Sequence, residues 1–282
     1  GSGLVGSEMC IRDSYIDFYL LHAVNKEKWD AMKELGVVEY CAKLKEEGKI
    51  RYYGFSFHDD YEVFDEILHY RDWDFCQIQY NYMDTQEQAG DKGYALAESL
   101  GVPLVIMEPI KGGSLANFSE DINDRFHKMD PDRSVASYAL RWVGSHPNVK
   151  VILSGMSTMD QVEDNLKTFQ DFSPLSEAEE KEIESIVTEL RSRVQNGCTG
   201  CRYCMPCPAG VNIPGNFKVW NNYHMYRTYD HVKWSWEKEL KEEEKAKNCI
   251  KCGKCETLCP QKLSIRDNLV QVQKDLDERI FK

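Results

Sequence analysis

The chain of 282 residues contains no apolar run long enough to span a bilayer, which excludes a membrane-spanning helix. Positive charge is in short supply. Thirty-five Lys and Arg face 47 Asp and Glu, a net charge of −12, so the basic footprint that nucleic-acid binding needs is missing. No secretory leader is legible, which argues against an extracellular disulfide framework. The first apolar run is followed by His22-Ala23-Val24 rather than by a glycine-rich loop. That absence weakens an open, doubly wound nucleotide-binding sheet. No flavin signature is visible either. What remains is an acidic, thiol-rich chain of ordinary globular composition, 42% hydrophobic, which suits a reducing cytoplasm.

Cysteine is what the chain has in concentrated form. Eight of its 11 cysteines fall in two runs: Cys198, Cys201, Cys204 and Cys207, followed by Pro208, and Cys249, Cys252, Cys255 and Cys259, followed by Pro260. Thiolates at every third residue can turn inward around one soft metal centre, and a fourth Cys followed by Pro is the bacterial ferredoxin signature. The spacing predicts two [4Fe–4S] clusters. Structural zinc is the alternative, but its C-x-x-C pairs normally share one tetrahedral ion across an intervening loop. Disulfides belong to small secreted domains. In two-cluster ferredoxins the last Cys of each run serves the other cluster. By that rule Cys198, Cys201, Cys204 and Cys259 hold one centre, and Cys249, Cys252, Cys255 and Cys207 the other. The first run has two residues before its last Cys where the bacterial pattern has three, which leaves Cys207 the weakest assignment. Cys10, Cys41 and Cys76 are isolated and read as packing residues.

Residues 1–14 show no steady period and begin with Gly, so they read as a non-native or unstructured leader. From residue 15 short apolar runs alternate with amphipathic stretches. Strands are predicted at 15–21, 52–56, 75–80, 103–107 and 149–154. Helices are predicted around Val37, Cys41 and Leu44, around Val63, Phe64, Ile67 and Leu68, and near 88–99, 134–145 and 159–169. This beat implies a parallel α/β sheet with right-handed crossovers. A capping box at Ser176 and Glu179 opens a further helix to about Val194, and Asn196-Gly197 breaks it. Between the cysteine runs, Trp220, Tyr223, Tyr226, Trp234 and Trp236 are expected to pack around the clusters. Residues 237–247 read as a solvated helical face, giving a mostly helical cysteine domain.

Asp17-Phe-Tyr-Leu-Leu-His22, Gly48-Lys-Ile-Arg-Tyr-Tyr-Gly-Phe-Ser56, Gln77-Ile-Gln-Tyr80, Met107-Glu-Pro-Ile-Lys-Gly-Gly113 and the stretch from Gly155 to Asn165 resemble, in order, the central part of aldo/keto reductases. The cysteine tail resembles the iron–sulfur extension of a bacterial branch of that family. The resemblance implies a partial (β/α)8 TIM barrel, strands four to eight with their helices, over residues 15–195. A mostly helical 4Fe–4S ferredoxin-type domain follows at 196–282. It also implies that the chain is N-terminally truncated relative to the family pattern.

The family moves a hydride from NADPH or NADH to a carbonyl, with a Tyr as acid and Lys, Asp and His in support. Of these the resemblance places only the His here, as His22. Ser56 and Gln77 would hold the nicotinamide carboxamide, with Phe57 standing where many members carry Asn. Met107 would lie against the ring. Ile110, Lys111, Gly112 and Gly113 would pass the pyrophosphate. Gly155, Met156, Ser157, Gln161, Asp164 and Asn165 would face the adenosine end, at the start of a helix. Gln161 replaces an Arg frequent in NADP-preferring members, so NADP and NAD both remain open. The expected function is that of an aldo/keto reductase-like oxidoreductase with an electron-transfer domain. Its expected partners are a small carbonyl substrate or a redox protein, and as written the chain is expected to be catalytically incompetent. A non-catalytic iron–sulfur module is the alternative, and a zinc-stapled scaffold a third reading.

Overall fold

The computed structural model describes residues 15–227 and 229–276; the leader at 1–14 lies outside the described residues. Chain contacts divide the protein into two compact units. One comprises the chain up to Lys111 together with Ser137–Ser176, and the other Gly112–Ala136 together with Glu177 onward. The sequence places a boundary near residue 195; by contacts, 112–136 and 177–195 group with the cysteine-bearing segment.

The first unit is a five-stranded, all-parallel sheet whose spatial order follows chain order, β1 to β5. The strands are β1 (Ile16–Val24), β2 (Ile50–Phe57), β3 (Phe75–Gln79), β4 (Leu104–Met107) and β5 (Val149–Ile152). A doubly wound sheet reverses its strand order at a switch point, whereas sequential order keeps every crossover helix on one face. That is what is seen. Alternate residues Leu21, Tyr53, Phe55, Phe57, Cys76, Ile78, Leu104 and Ile106 are buried in the core with side chains from the helices. Those helices are α1 (Lys26–Glu34), α2 (Val37–Glu46), α3 (Tyr61–Tyr70), α4 (Gly90–Ser99) and, further along the chain, α6 (Val135–Gly144). The other face carries Phe18, Tyr52 and Val151, which are 65, 42 and 47% exposed.

Local signals explain the elements. Asn25 caps α1 by accepting from the Lys28 amide at 2.9 Å, and Asp60 caps α3 through Val63 at 3.3 Å. Gly54 in β2 has a packing reason: a Cβ there would lie 2.4 Å from the Phe75 carbonyl oxygen on the neighbouring strand. Two helices escaped the periodicity argument. In α1 only Trp29 is buried. In α5 (Glu120–Met129) only Ile122 and Phe126 are. Stripes this thin carry little period.

The second unit is helical. Its elements are α5, α8 (Glu177–Ser192), α9 (Ile213–Tyr226), α10 (Tyr229–Trp234), a π-helical turn Ser235–Glu239, 3-10 turns at Glu242–Glu244 and Ala246–Asn248, α11 (Lys254–Leu258) and α12 (Ile265–Gln273). Arg125 ties α5 to α8 through Glu182 and Glu189 at 2.7 and 2.8 Å. One expectation is corrected. Residues 237–247 are not one solvated helix but a turn-rich stretch in which Leu240, Lys245 and Ala246 are buried. Lys245 reaches that depth by pairing with Glu242 and lying 5.1 Å above the Trp236 ring. Of the linker aromatics, Trp220 and Trp236 build a core against which six of the run cysteines and Tyr223 pack, whereas Trp234 is 55% exposed.

Candidate functional site

The eight run cysteines are brought together in two sets. Cys198, Cys201, Cys204 and Cys259 line one cavity with Phe217 and Pro260. Cys207, Cys249, Cys252 and Cys255 line a second, and Cys204 touches both. Cys259 of the second run thus lies with the first run's cysteines, and Cys207 of the first run with those of the second. Each cavity holds about 330 Å³ of space, including that open to solvent.

Several side chains the sequence reading passed over hold these loops. Asn221 accepts from the Asn196 amide at 3.0 Å, and Asn196 in turn accepts from the Cys198 amide at 2.9 Å. Asn216, fully buried, donates to the Asn212 and Glu244 carbonyls and accepts from Ala246, each at 2.8 Å. It thus fixes the linker just ahead of Cys249. Glu256 accepts from the backbone and guanidinium of Arg266 at 2.9 Å, clamping α11 to α12 between Cys255 and Cys259. An Asn or Glu beside a metal motif gives no pattern of its own, so only the fold exposes these roles.

Each set offers four thiols, the number that a [4Fe–4S] cluster takes from its protein. Burial, then the neighbouring Cys198, raises the Cys204 pKa, with Cys201 and Cys259 adding to it. Burial and Glu256 push Cys255 up to about 11, with Cys249 contributing. Both thiols must give up a proton before they can ligate a metal.

The second group of candidates lies along the C-terminal ends of the strands. His22 of β1 and Ser56 of β2 are adjacent, Ser56 Oγ lying 3.4 Å from His22 Nδ1 and accepting from the Ala23 amide at 2.7 Å. Ser56 pairs in register with Gln77 of β3. Gln77 Nε2 donates to Met107 Sδ of β4 at 3.4 Å. Phe57 points to the opposite face, packing on Phe64 with ring centroids 5.0 Å apart. Beyond β5 an open cleft of about 1180 Å³ is lined by Met107, Gly155, Met156 and Asn165 of the candidates, with Leu153 and Phe169. Asn165 donates to Ser154 at 2.9 Å.

The remaining candidates are engaged elsewhere. In α7 (Met159–Gln170) the Gln161 side chain accepts from the Ser157 and Thr158 amides at 2.6 and 3.2 Å, closing a capping box with Thr158. Thr158-x-x-Gln161 is a legible capping signal, here passed over in favour of a cofactor reading. Asp164 lies one turn further along the same helix. Lys111 Nζ sits 2.5 and 2.6 Å from the two Asp84 oxygens. Buried Asp84 also accepts from Gln79 and Asn81 at 2.9 and 3.0 Å. Asn81 holds the Glu108 carbonyl at 3.0 Å. Glu108 and Lys111 have φ of 56° and 48°, and Gly112 and Gly113 follow at 60° and 94°. The side-chain network thus braces a left-handed loop after Ile110 that glycine tolerates and Lys does not favour.

A parallel sheet wound in one direction with polar side chains at its C-terminal ends in one unit, and two cysteine-lined chambers in the other, define the class: an α/β oxidoreductase fold joined to an iron–sulfur module. The chain belongs to the aldo/keto reductase family, whose profile matches residues 10–188, and a 4Fe-4S dicluster domain profile matches residues 197–263. Among solved structures it is similar to the aldo-keto reductase AKR11C1 from Bacillus halodurans. The apo form shares 26% identity at a TM-score of 0.53, over 63% of this chain and 64% of that one. The holo form shares 25% at 0.51, over 63% of each. The chain therefore spans less than two thirds of the length of either structure. No curated protein matches. Among the described residues no helix is long and apolar enough to cross a membrane.

Proposed function

We propose that the protein is an oxidoreductase that joins a nicotinamide-dinucleotide site, NADP or NAD, to two [4Fe–4S] clusters. The single observation that carries this reading is the sorting of eight cysteines into two chambers of four across a gap of 41 residues in sequence. Cys198, Cys201, Cys204 and Cys259 would hold one cluster, and Cys207, Cys249, Cys252 and Cys255 the other. When bound, such clusters accept and release single electrons.

At the sheet edge, Ser56 and Gln77 would orient the carboxamide and Met107 would pack on the ring. His22, exposed at the end of β1, would donate a hydrogen bond to a carbonyl oxygen as negative charge builds there. Asn165, Gly155, Met156, Ser157 and Asp164 would line the adenosine end, and Gln161 would act by fixing the helix start. The substrate class is a small carbonyl compound and the compartment the cytoplasm.

Aerobically handled material can lose clusters, so the test uses protein purified without oxygen. About eight iron and eight sulfide per chain, with broad visible absorbance that dithionite bleaches, is the expected result. A colourless product rich in zinc would overturn it. The second reading, an iron–sulfur electron-transfer module without hydride chemistry, draws on Lys111 being tied to Asp84. Dinucleotide binding without carbonyl turnover by the 282-residue chain would favour it.

A further inference from the structure

The charge of this acidic chain is unevenly placed. The segments 198–207 and 249–266, which contain all eight chamber cysteines, carry five basic residues and one acidic one, leaving −16 of the total −12 elsewhere. Arg202, Lys251, Lys254, Lys262 and Arg266 are all exposed. Arg266 pairs with the one acid, Glu256, at 2.7 Å. The other four make no ion pair among the described residues. Arg202 belongs to the wall of the first chamber, and Lys251 and Arg266 to that of the second.

The same rim is where the chambers reach solvent. Cys201 and Cys252 are the exposed members of their sets. Beside them stand Tyr203 and Ile250, 67 and 66% exposed. Exposed apolar side chains close in sequence to the most accessible cysteine of each set, among residues of mainly positive charge, have the composition of a protein contact.

We propose that this basic rim is the docking surface for a small acidic one-electron carrier protein. Its occupant is argued from charge: the rim is the positive region of a negative molecule, so a carrier with an acidic face is steered to it and held off the rest. On docking, one electron leaves the reduced carrier and enters an oxidised cluster through the wall containing Cys201 or Cys252. No atoms transfer, and the carrier is oxidised by one unit as the cluster is reduced by one. The inference rests on the iron–sulfur reading of the two cysteine sets.

The experiment uses the full chain with its iron in place, iron and sulfide being measured first. Oxidised flavodoxin, an acidic carrier, and oxidised cytochrome c, a basic one, are titrated by calorimetry, which needs no electron transfer. Stopped-flow reduction by reduced flavodoxin is then followed over ionic strengths of about 0.05 to 0.5 M. Flavodoxin is expected to bind and cytochrome c not to bind at this rim, with the flavodoxin rate falling on the order of tenfold as salt rises. K251E/K254E and, separately, R202E/K262E should weaken flavodoxin binding on the order of tenfold with the cluster spectrum unchanged, and K251R/K254R should restore it.

Equal behaviour of the two carriers, or a rate indifferent to salt, would overturn the proposal. So would variants that move the cluster reduction potential while leaving flavodoxin binding intact, since the charges would then serve only to balance the anionic clusters. Binding of duplex DNA or anionic vesicles in preference to flavodoxin would overturn it as well. Material without iron would sink the iron–sulfur reading itself, and this inference with it.

Discussion

Asp84 meets Lys111 across two short contacts while also receiving Gln79 and Asn81. If Lys111 is to reach a pyrophosphate, it must exchange one anionic partner for another, and the carboxylate competes with the cofactor. D84N removes that competitor, so NADPH affinity is expected to rise on the order of fivefold at low salt, read by fluorescence titration. An unchanged affinity would remove Lys111 from the site. The crossed cysteine sets allow a second residue-level test. C259S should abolish the centre of the first run, and C207S that of the second, each leaving about half the iron by analysis and one paramagnetic signal on reduction. Loss of the first-run centre in C207S would contradict the grouping. The cysteines were legible because ligand spacing is rigid chemistry. Asp84 was not, because an Asn-x-x-Asp after a strand looks like any polar loop until Lys111, 27 residues on, folds back on it.

At the scale of elements, Gly54 of β2 faces Phe75 of β3, and a methyl group there meets backbone oxygen at 2.4 Å. Gly54→Ala should cost about 1–3 kcal/mol, seen as a lower urea midpoint with an unchanged slope. In α9, burial lowers the pKa of His224 below its usual 6.5, opposed by Asp275 at 3.6 Å. The folded state therefore prefers the neutral ring. Its contribution to stability is complete above pH 6.5 and is lost as pH falls through the lower folded value. H224Q should flatten the stability profile between about pH 7 and 5, measured by urea unfolding. Strand positions were readable from apolar runs of β-branched and aromatic residues, and all five predicted strands are present. The segment 237–247 was misread because charge predicts solvent contact for a side chain's tip, whereas Lys245 buries its stem against Trp236.

For the molecule as a whole, six of the run cysteines pack against the core formed by Phe217, Trp220, Trp236 and Leu269. Removing iron should therefore loosen that core. Chelation is expected to lower the thermal transition of the cysteine-bearing unit by about 5 °C or more in calorimetry, leaving the transition of the sheet unit in place. Sequential strand order was foreshadowed by the missing glycine-rich loop after β1, which spoke against a switch-point sheet. The division of the chain was less visible. Segment 112–136 joins the later unit through pairings such as Arg125 with Glu182, and pairs of that kind leave no trace in composition.

Cys204 and Ile213 form part of the wall of both chambers. A wall held in common couples the two compartments. Loss of metal from the first chamber would free Cys204 and take away a side chain that also walls the second. The centre that remains in C259S or C207S should accordingly be lost to oxygen faster than the same centre in the fully loaded protein, so half-loaded protein is expected to last only while oxygen is kept out.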